Sequence, residues 1–557
     1  MRLLVNIVKK FRIGLDTQKT LPIMTQKKQP VSSMENESSP FLERRNFIKY
    51  SLLLAGALAM PSLQGCAIPK KNVPALDDQA FLIKNASLID VTSGQMIENS
   101  WLLVEDGKIA ALGNGDFQNN YHGSIFNLQG KFLIPGLIDA HCHSTSSPVF
   151  SMSVIDILRH SRQQKNNFIS SIESGITTIR DMGAFPALLH LFIKDIKKGN
   201  LPGPRVVYCN SILNTMGAHP EIPPSDVNIF AGPASLFIGM IMNNFKNTAD
   251  MEECLAENAR GASFIKLTLD NRTIFCKKNK EIPVYTKEQL DIIFRFAEKN
   301  GLPVVGHHHF KFGFDRAMEY PFHSIEHMIA DTILSDEDVL QMAKNNVAIV
   351  PTMTVGQSFL MEEAFDEIPE KYATPEVMDE LTVRRNYFDH EAARHCDPLL
   401  HKQNLDALKD YKTIGRDKLW EKKKFLVDPD VYFGMVANGY ANLKKMNQAG
   451  ILIGCGIDAG TPFCYFGGNY REYEILRRLG FTNIEVLRCA TISNARILKL
   501  EDKTGSLEKD KYADMVVLGN NPLRDIRALR KPLMVFKEGE LMFSAEDLFR
   551  NKTISSL

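Results

Sequence analysis

Eight apolar, β-branched runs alternate with amphipathic stretches of helical period along the chain, and few architectures accept that order. The runs are Phe132 to His143, Ile176 to Asp181, Arg205 to Leu213, Phe264 to Asp270, Pro303 to His309, Phe322 to Met328, Val347 to Val355 and Ile451 to Asp458. Between them, stretches such as Lys287 to Asn300 and Ser335 to Asn345 repeat apolar residues at helical spacing, which suits packing against a sheet. Strand followed by helix followed by strand specifies parallel βα units, and eight of them specify an α/β fold closed as a (β/α)8 TIM-type barrel over residues 133–499. The chain has 557 residues, 44% of them hydrophobic, enough for that barrel and one smaller domain.

The smaller domain is expected from both flanks. Phe81 to Gly113 and Ala513 to Glu540 each alternate apolar and polar residues, which predicts a composite β-sandwich from residues 77–132 and 500–545. Residues 356–445 are too many for a simple connection and are expected to hold their own helices. Their charged and aromatic residues, Trp420 and Tyr432 among them, fit either a cap over the barrel mouth or a peripheral packing element.

Residues 1–66 read as an extension and a targeting signal. Arg44, Arg45, Asn46, Phe47, Ile48 and Lys49 lead into an apolar run from Tyr50 to Met60, too short to span a bilayer and ordered like a secretory n-region and h-region. This resembles a twin-arginine signal, and Leu63, Gln64, Gly65 and Cys66 resemble the lipobox of bacterial lipoproteins. The resemblance implies export to the periplasmic side and a lipid anchor on Cys66; cleavage without lipid is the alternative. Nine cysteines form no CxxC pair, so no disulfide framework is expected, and Cys142 and Cys455 read as small core residues. With 66 basic against 65 acidic side chains, no net field would gather nucleic acid, and a small, weakly charged substrate fits better.

Chemistry is expected at the strand ends, where the loops of such barrels converge. The first run ends Ile138, Asp139, Ala140, His141, Cys142, His143, and strand alternation puts His141 and His143 on one side, so both imidazoles can share a cation. HxH alone is weak, but the full string PGLIDAHCH from Pro135 resembles the amidohydrolase superfamily. Later strands supply further candidates in order: Lys266 within FIKL, His307 opening a run of three histidines, His327 closing SIEH, and Asp458 after GCGI. GITTIRD (Gly175 to Asp181), GPR (Gly203 to Arg205), Met216 to His219 and Gly505 to Val517 extend the likeness to the imidazolonepropionase and prolidase-like branch, over nearly all of residues 80–545. Ile457 departs from the pattern, since the family usually has threonine before the aspartate.

The resemblance implies a metal set of His141, His143, Lys266, His307, His327 and Asp458. Lys266 sits among apolar neighbours, which favours a neutral amine able to capture carbon dioxide. The resulting carbamate would bridge two ions, and one ion remains the chemical alternative. Imidazole and carboxylate ligands suit zinc, with iron, manganese and cobalt open. Asp458 is the expected general base and acid for a metal-activated hydroxide attacking an amide-type C–N bond, in a dipeptide, an N-acyl amino acid or a cyclic amide. A mononuclear imidazolonepropionase-like or lactonase-like hydrolase is the alternative; a noncatalytic binding protein on the same scaffold is the reading from another class. His219 and His309 are candidate substrate contacts, with a hydrogen-bonded structural imidazole as the plainer role for each. His308 is expected to face the helices, Glu326 to support the site from behind, and Arg180 to pair with Asp181. Lys277, Lys278 and Lys280 read as a solvated loop face, with carboxylate recognition as the alternative.

Overall fold

A computed structural model describes residues 80–118, 121–148, 157–220, 241–274, 281–358, 370–375, 377–379, 396–414 and 429–545. The targeting segment with Cys66, the lysines at 277, 278 and 280, Trp420 and the side chain of Tyr432 lie outside the described residues.

The first five strands are β1 (Phe81–Ile89), β2 (Met96–Glu105), β3 (Lys108–Asn114), β4 (Ser124–Asn127) and β5 (Phe132–Pro135). Nine more follow: β6 (Leu137–Cys142), β7 (Ile176–Asp181), β8 (Arg205–Tyr208), β9 (Ile212–Thr215), β10 (Met242–Phe245), β11 (Ile265–Thr268), β12 (Val304–His307), β13 (Ser324–Glu326) and β14 (Ala348–Val350). The chain ends with β15 (Met515–Leu518), β16 (Pro532–Lys537) and β17 (Glu540–Ser544).

Strands from the two ends of the chain share one mixed sheet, ordered β17-β16-β15-β5-β1-β2-β3 with β4 beside β1. Its apolar face packs Phe81, Phe126 and Phe536, each pair of ring centroids 5.3 Å apart. Burying three aromatic side chains in mutual contact is the main apolar gain available to so thin a layer. The remaining strands form two parallel sheets, β6-β7-β8 and β10-β9-β11-β12-β13-β14. Nearly every residue of β6, β7, β11, β13 and β14 is buried. Strands covered on both faces read as continuous apolar runs, and that is why these were visible in the sequence.

Three runs divide where one strand each was expected. Phe132 to His143 breaks at Gly136 because the chain leaves the mixed sheet there and enters the parallel one. The Gly136 amide bonds the Asp514 carbonyl at 2.8 Å, and a Cβ at Gly136 would stand 2.2 Å from Thr177 Oγ1. Only glycine fits that crossing. Arg205 to Leu213 divides into β8 and β9 around Asn210, whose φ of 63° interrupts the pleat. Val347 to Val355 stops at Val350, and a helix begins at Met353. The strand β10 was not anticipated, because Met242–Phe245 carries two asparagines in its centre.

Among the described residues the ladders do not join into one continuous eight-stranded ring. Ile451 to Asp458 forms no regular strand, yet it fills the space between β14 and β6. Ile453 bridges Ile349, Ala459 bridges Cys142, and the Asp458 amide bonds the His141 carbonyl at 2.9 Å. On the other side, the Ser263 amide bonds the Tyr208 carbonyl at 2.8 Å, tying the lead-in to β11 to β8.

The inserted region contains helices Pro398–Ile414 and Pro429–Gln448. Asn404 Nδ2 donates to the Pro148 carbonyl at 2.8 Å, and Asn438 Nδ2 donates to the Ala330 carbonyl at 2.7 Å. Both acceptors lie on segments that continue from strand ends, so the insertion is fastened to the loops after β6 and β13. All seven cysteines described are free, and Cys142 and Cys455 are buried, each packed in the large apolar core.

Candidate metal centre

Six histidines, one lysine and one aspartate delivered by different strands meet at the ends of β6, β11, β12 and β13. His141 closes on Asp458 with Nε2 at 3.5 Å from Oδ1, and His143 with Nε2 at 3.3 Å from the same oxygen. His141, His327 and Asp458 each bring one ligand-type atom within 4.8 Å of the others; His219, His307 and His309 make a second such group. The two groups touch. The His327 ring lies 4.5 Å from His307 and 4.7 Å from both His141 and His309, centroid to centroid.

Hydrogen bonds behind the rings decide which nitrogens face inward. His143 Nδ1 bonds the Gly183 carbonyl at 2.7 Å, and a carbonyl only accepts, so Nδ1 carries the proton. His141 Nδ1 bonds Glu326 Oε2 at 2.8 Å, with the same consequence where Glu326 is ionised. His327 Nδ1 meets Thr352 Oγ1 at 2.6 Å. The Nε2 atoms of His141 and His143 therefore present lone pairs toward the Asp458 carboxylate. Three acceptors facing one another repel unless a cation stands among them, so the donor set fits a metal ion. Lys266 Nζ, His307 Nε2 and Asp458 Oδ1 are buried atoms with no hydrogen-bond partner, which is the same deficit seen from the other residues.

Burial favours the neutral form of four of the histidines, His143 being the exception. Burial lowers His141 to about 4, aided by nearby Lys266, and pushes His307, His309 and His327 well below the usual histidine range. Burial also takes Lys266 down to about 8, so the neutral amine is far more populated than in an ordinary lysine although the charged form still predominates at neutral pH. For Asp458 burial acts upward, but the imidazoles of His141 and His143 hold its carboxyl below the ordinary value. His143 is raised: burial opposes its charge, and the Asp458 carboxylate outweighs it.

Glu326 is fully buried behind the rings, and it accepts from Arg180 at 2.7 Å and from Ser324 Oγ at 2.7 Å besides His141. Burial alone would raise it; the Arg180 guanidinium and the His141 bond bring it down to about 2. This corrects the expected Arg180–Asp181 pair. Asp181 instead accepts from the Ser144 amide at 2.8 Å and the Gly183 amide at 3.0 Å, bracing the turn after His143. His308 points the other way, with Nδ1 at 2.9 Å from the Glu326 carbonyl. His219 is buried and held by Thr273 Oγ1 at 2.9 Å from Nδ1, and burial lowers it to about 3.

Several supporting residues escaped sequence reasoning. Asp270 accepts the amides of His309 at 2.7 Å and Phe310 at 3.3 Å, fixing the histidine run. Asp139 binds the His141 amide at 3.1 Å and Asn469 at 2.8 Å; Glu472 binds the amides of Met353 and Thr354 at 2.8 and 2.7 Å. Burial raises both carboxyls to about 7. His327, Thr352 and Asp458 are all non-glycine residues at positive φ (75°, 45° and 55°). Left-handed conformations cost free energy, and their concentration at one cluster marks it as a functional site.

Imidazoles, an amine and a carboxylate brought together at the ends of parallel strands form a buried cluster suited to hydrolytic chemistry. The chain matches the amidohydrolase family over residues 132–542 and belongs to that family. Among curated proteins it is similar to the ochratoxinase of Aspergillus niger, 22% identical over 500 residues, covering 84% of this chain and 88% of the other. Among solved structures it resembles a Xaa-Pro dipeptidase with methionine in its active site, at TM-score 0.62 and 21% identity over 83% of this chain and 99% of that one. It also resembles molinate hydrolase, at TM-score 0.60 and 17% identity over 86% and 97% of the two chains.

Proposed function

We propose that this protein is an exported, metal-dependent hydrolase that cleaves an amide-type C–N bond in a small molecule: a dipeptide, an N-acyl amino acid or a cyclic amide. The observation that carries the reading is the convergence of His141, His143 and Asp458, acceptor facing acceptor, beside a lysine amine without a partner. One or two divalent cations, zinc by ligand preference, would be held by His141, His143, Lys266, His307, His327 and Asp458, with Lys266 carbamylated if two are bound. Bound there, such an ion supplies Lewis acidity toward water and toward the scissile carbonyl.

The chain's own residues do the rest. Glu326 and Gly183 hold His141 and His143 with Nε2 inward, so neither ring spends its lone pair on a proton. Asp458, whose carboxyl lies below its ordinary value, takes the proton of the attacking water and returns it to the leaving nitrogen. His219 and His309 stand at the edge of the cluster as neutral donors or acceptors for the substrate carbonyl or carboxylate. The helical insertion is bonded to the loops after β6 and β13, which fits a cap over the barrel mouth as well as a peripheral packing element. Similarity to a Xaa-Pro dipeptidase and an ochratoxinase supports a C–N bond as the target.

The deciding experiment is a hydrolysis screen of dipeptides, N-acyl amino acids, cyclic amides and lactones with the metal-loaded protein, alongside metal analysis. Well under one metal per chain after careful loading would overturn the reading, and turnover confined to lactones would overturn the C–N assignment. For the bridge, Lys266→Ala is expected to lose one metal equivalent per chain by elemental analysis, whereas retention of two would refute it. For the anchor, Cys66→Ser is expected to move the protein from the membrane fraction to the soluble periplasmic fraction. Unchanged fractionation would remove the lipid from the account.

A further inference from the structure

We propose that Glu472, which lies outside the ligand set, is a positioning residue: its carboxylate locks Thr352 in a left-handed conformation, and Thr352 in turn aims the His327 ring. This rests on the hydrolase reading for the role of His327 as a metal ligand, and on contacts within the fold for everything else.

Thr352 stands between the end of β14 and the start of the helix Met353–Ser358, with φ at 45°. A β-branched residue is an outlier at positive φ, and such a conformation persists only where its surroundings over-determine it. Glu472 supplies that constraint. Its Oε1 accepts the Met353 amide at 2.8 Å, and its Oε2 accepts both the amide and the hydroxyl of Thr354 at 2.7 Å. Amides in the first turn of a helix have no acceptor within it, so the carboxylate satisfies the two residues after Thr352 while fixing their path. Glu472, Thr352 and Thr354 are each at most 1% exposed, which leaves water no room to take over these bonds.

Thr352 uses this conformation to place Oγ1 2.6 Å from His327 Nδ1. The His327 main-chain amide donates separately to the Val350 carbonyl at 3.0 Å. The backbone of His327 is thus tied to the end of β14, whereas its ring takes its direction from the threonine hydroxyl. An acceptor at Nδ1 keeps the ring proton there and leaves the Nε2 lone pair for an ion. Glu472 has a firm base of its own, in the first turn of the helix Tyr470–Arg478. Asn469, just before that helix, donates from Nδ2 to Asp139 Oδ2 on β6 at 2.8 Å. The helix start is therefore fastened to the first strand of the parallel region, and Glu472 carries that fixed position across to the loop after β14.

The test is a double-mutant cycle on the metal-free full chain, read by Co2+ affinity and by the visible spectrum of the bound ion. Glu472→Gln keeps the side-chain shape but turns an NH2 group toward one of the donors. It is expected to weaken Co2+ binding about 10-fold and to shift the visible bands. Thr352→Val, which keeps the branch and removes the hydroxyl, is expected to weaken binding by about 10–100-fold. Because the two residues act in series, the double variant should bind no worse than Thr352→Val alone. Additive losses would overturn the proposal, since a general loosening of the fold adds to the loss of the hydroxyl. Wild-type affinity and spectrum in Glu472→Gln would overturn it equally. Should Glu472→Gln fold poorly, Thr354→Val replaces it in the cycle, stripping one of three bonds from the carboxylate. A smaller loss that vanishes in the Thr352→Val background is then the supporting result, and a loss that persists there refutes the proposal. Wild type that binds no Co2+ would sink the hydrolase reading and this proposal together, whereas binding that ignores Glu472 sinks only the latter.

Discussion

Asp458→Asn is expected to lower turnover by about 10²–10⁴-fold, the range associated with loss of a positioned acid–base group. The substitution keeps the shape of the side chain and removes the charge that faces His141 and His143 at 3.5 and 3.3 Å. Metal content has to be measured on the same preparations, because Asp458 is also a proposed ligand. A variant that retains its metal yet loses turnover isolates the proton-transfer role; one that loses both marks ligation as the larger part. Full turnover in this variant would end the mechanism proposed for Asp458.

The second large effect is structural. Arg180→Met is expected to destabilise the fold by about 3–5 kcal/mol, because it strands the buried Glu326 carboxylate without its guanidinium. Arg180 is itself 2% exposed and also bonds the Ala140 carbonyl and Ser324 Oγ, at 2.6 and 3.1 Å. Denaturant midpoints at neutral pH measure the loss. The pH dependence has a definite sign: the Glu326 carboxyl is depressed to about 2 in the folded protein, so its contribution is complete above its ordinary pKa. That contribution disappears as pH falls through about 2. In Arg180→Met the strongest counterweight to burial is gone and only the His141 and Ser324 bonds and the nearby Lys266 remain, so the penalty is expected to grow with rising pH instead. An Arg180→Met, Glu326→Leu double variant is expected to recover much of the stability while weakening metal binding about 10–100-fold, since His141 then lacks the acceptor that orients it. Equal stability of wild type and Arg180→Met would show that the pair contributes nothing net.

Much of this architecture was legible because buried parallel strands have a strong apolar signature. The runs Ile176 to Asp181, Phe264 to Asp270 and Pro303 to His309 each contain a strand, and the HxH, FIKL and SIEH strings mark residues that meet in space. What escaped was either a matter of interruption or of pairing at long range. No local pattern foretells that Phe132 to His143 changes sheets at Gly136, because the reason is Thr177 pressing on that glycine. Nor did the sequence distinguish Asp181 from Glu326 as the partner of Arg180. Adjacency in the chain favoured Asp181, yet neighbouring strand residues point to opposite faces, and the correct partner lay on the sixth of the expected runs, four beyond that of Arg180. Thr352 was likewise invisible as the companion of His327, being read as the interior of a strand that in fact ends before it.

The mixed sheet has a consequence for assembly in time. β5 pairs with β15, setting Pro135 opposite Met515, and β5 runs directly through Gly136 into the strand that carries His141. The first imidazole of the cluster is thus moored to a layer that gains β15, the neighbour of β5, only after the whole parallel-strand region has been made. Such distant pairings are slow to form. A nascent or truncated chain lacking β15 to β17 leaves β5 as a bare edge, open to mispairing, and its metal ligands unmoored. The strand that carries His141 is therefore expected to settle only after β15 has been made.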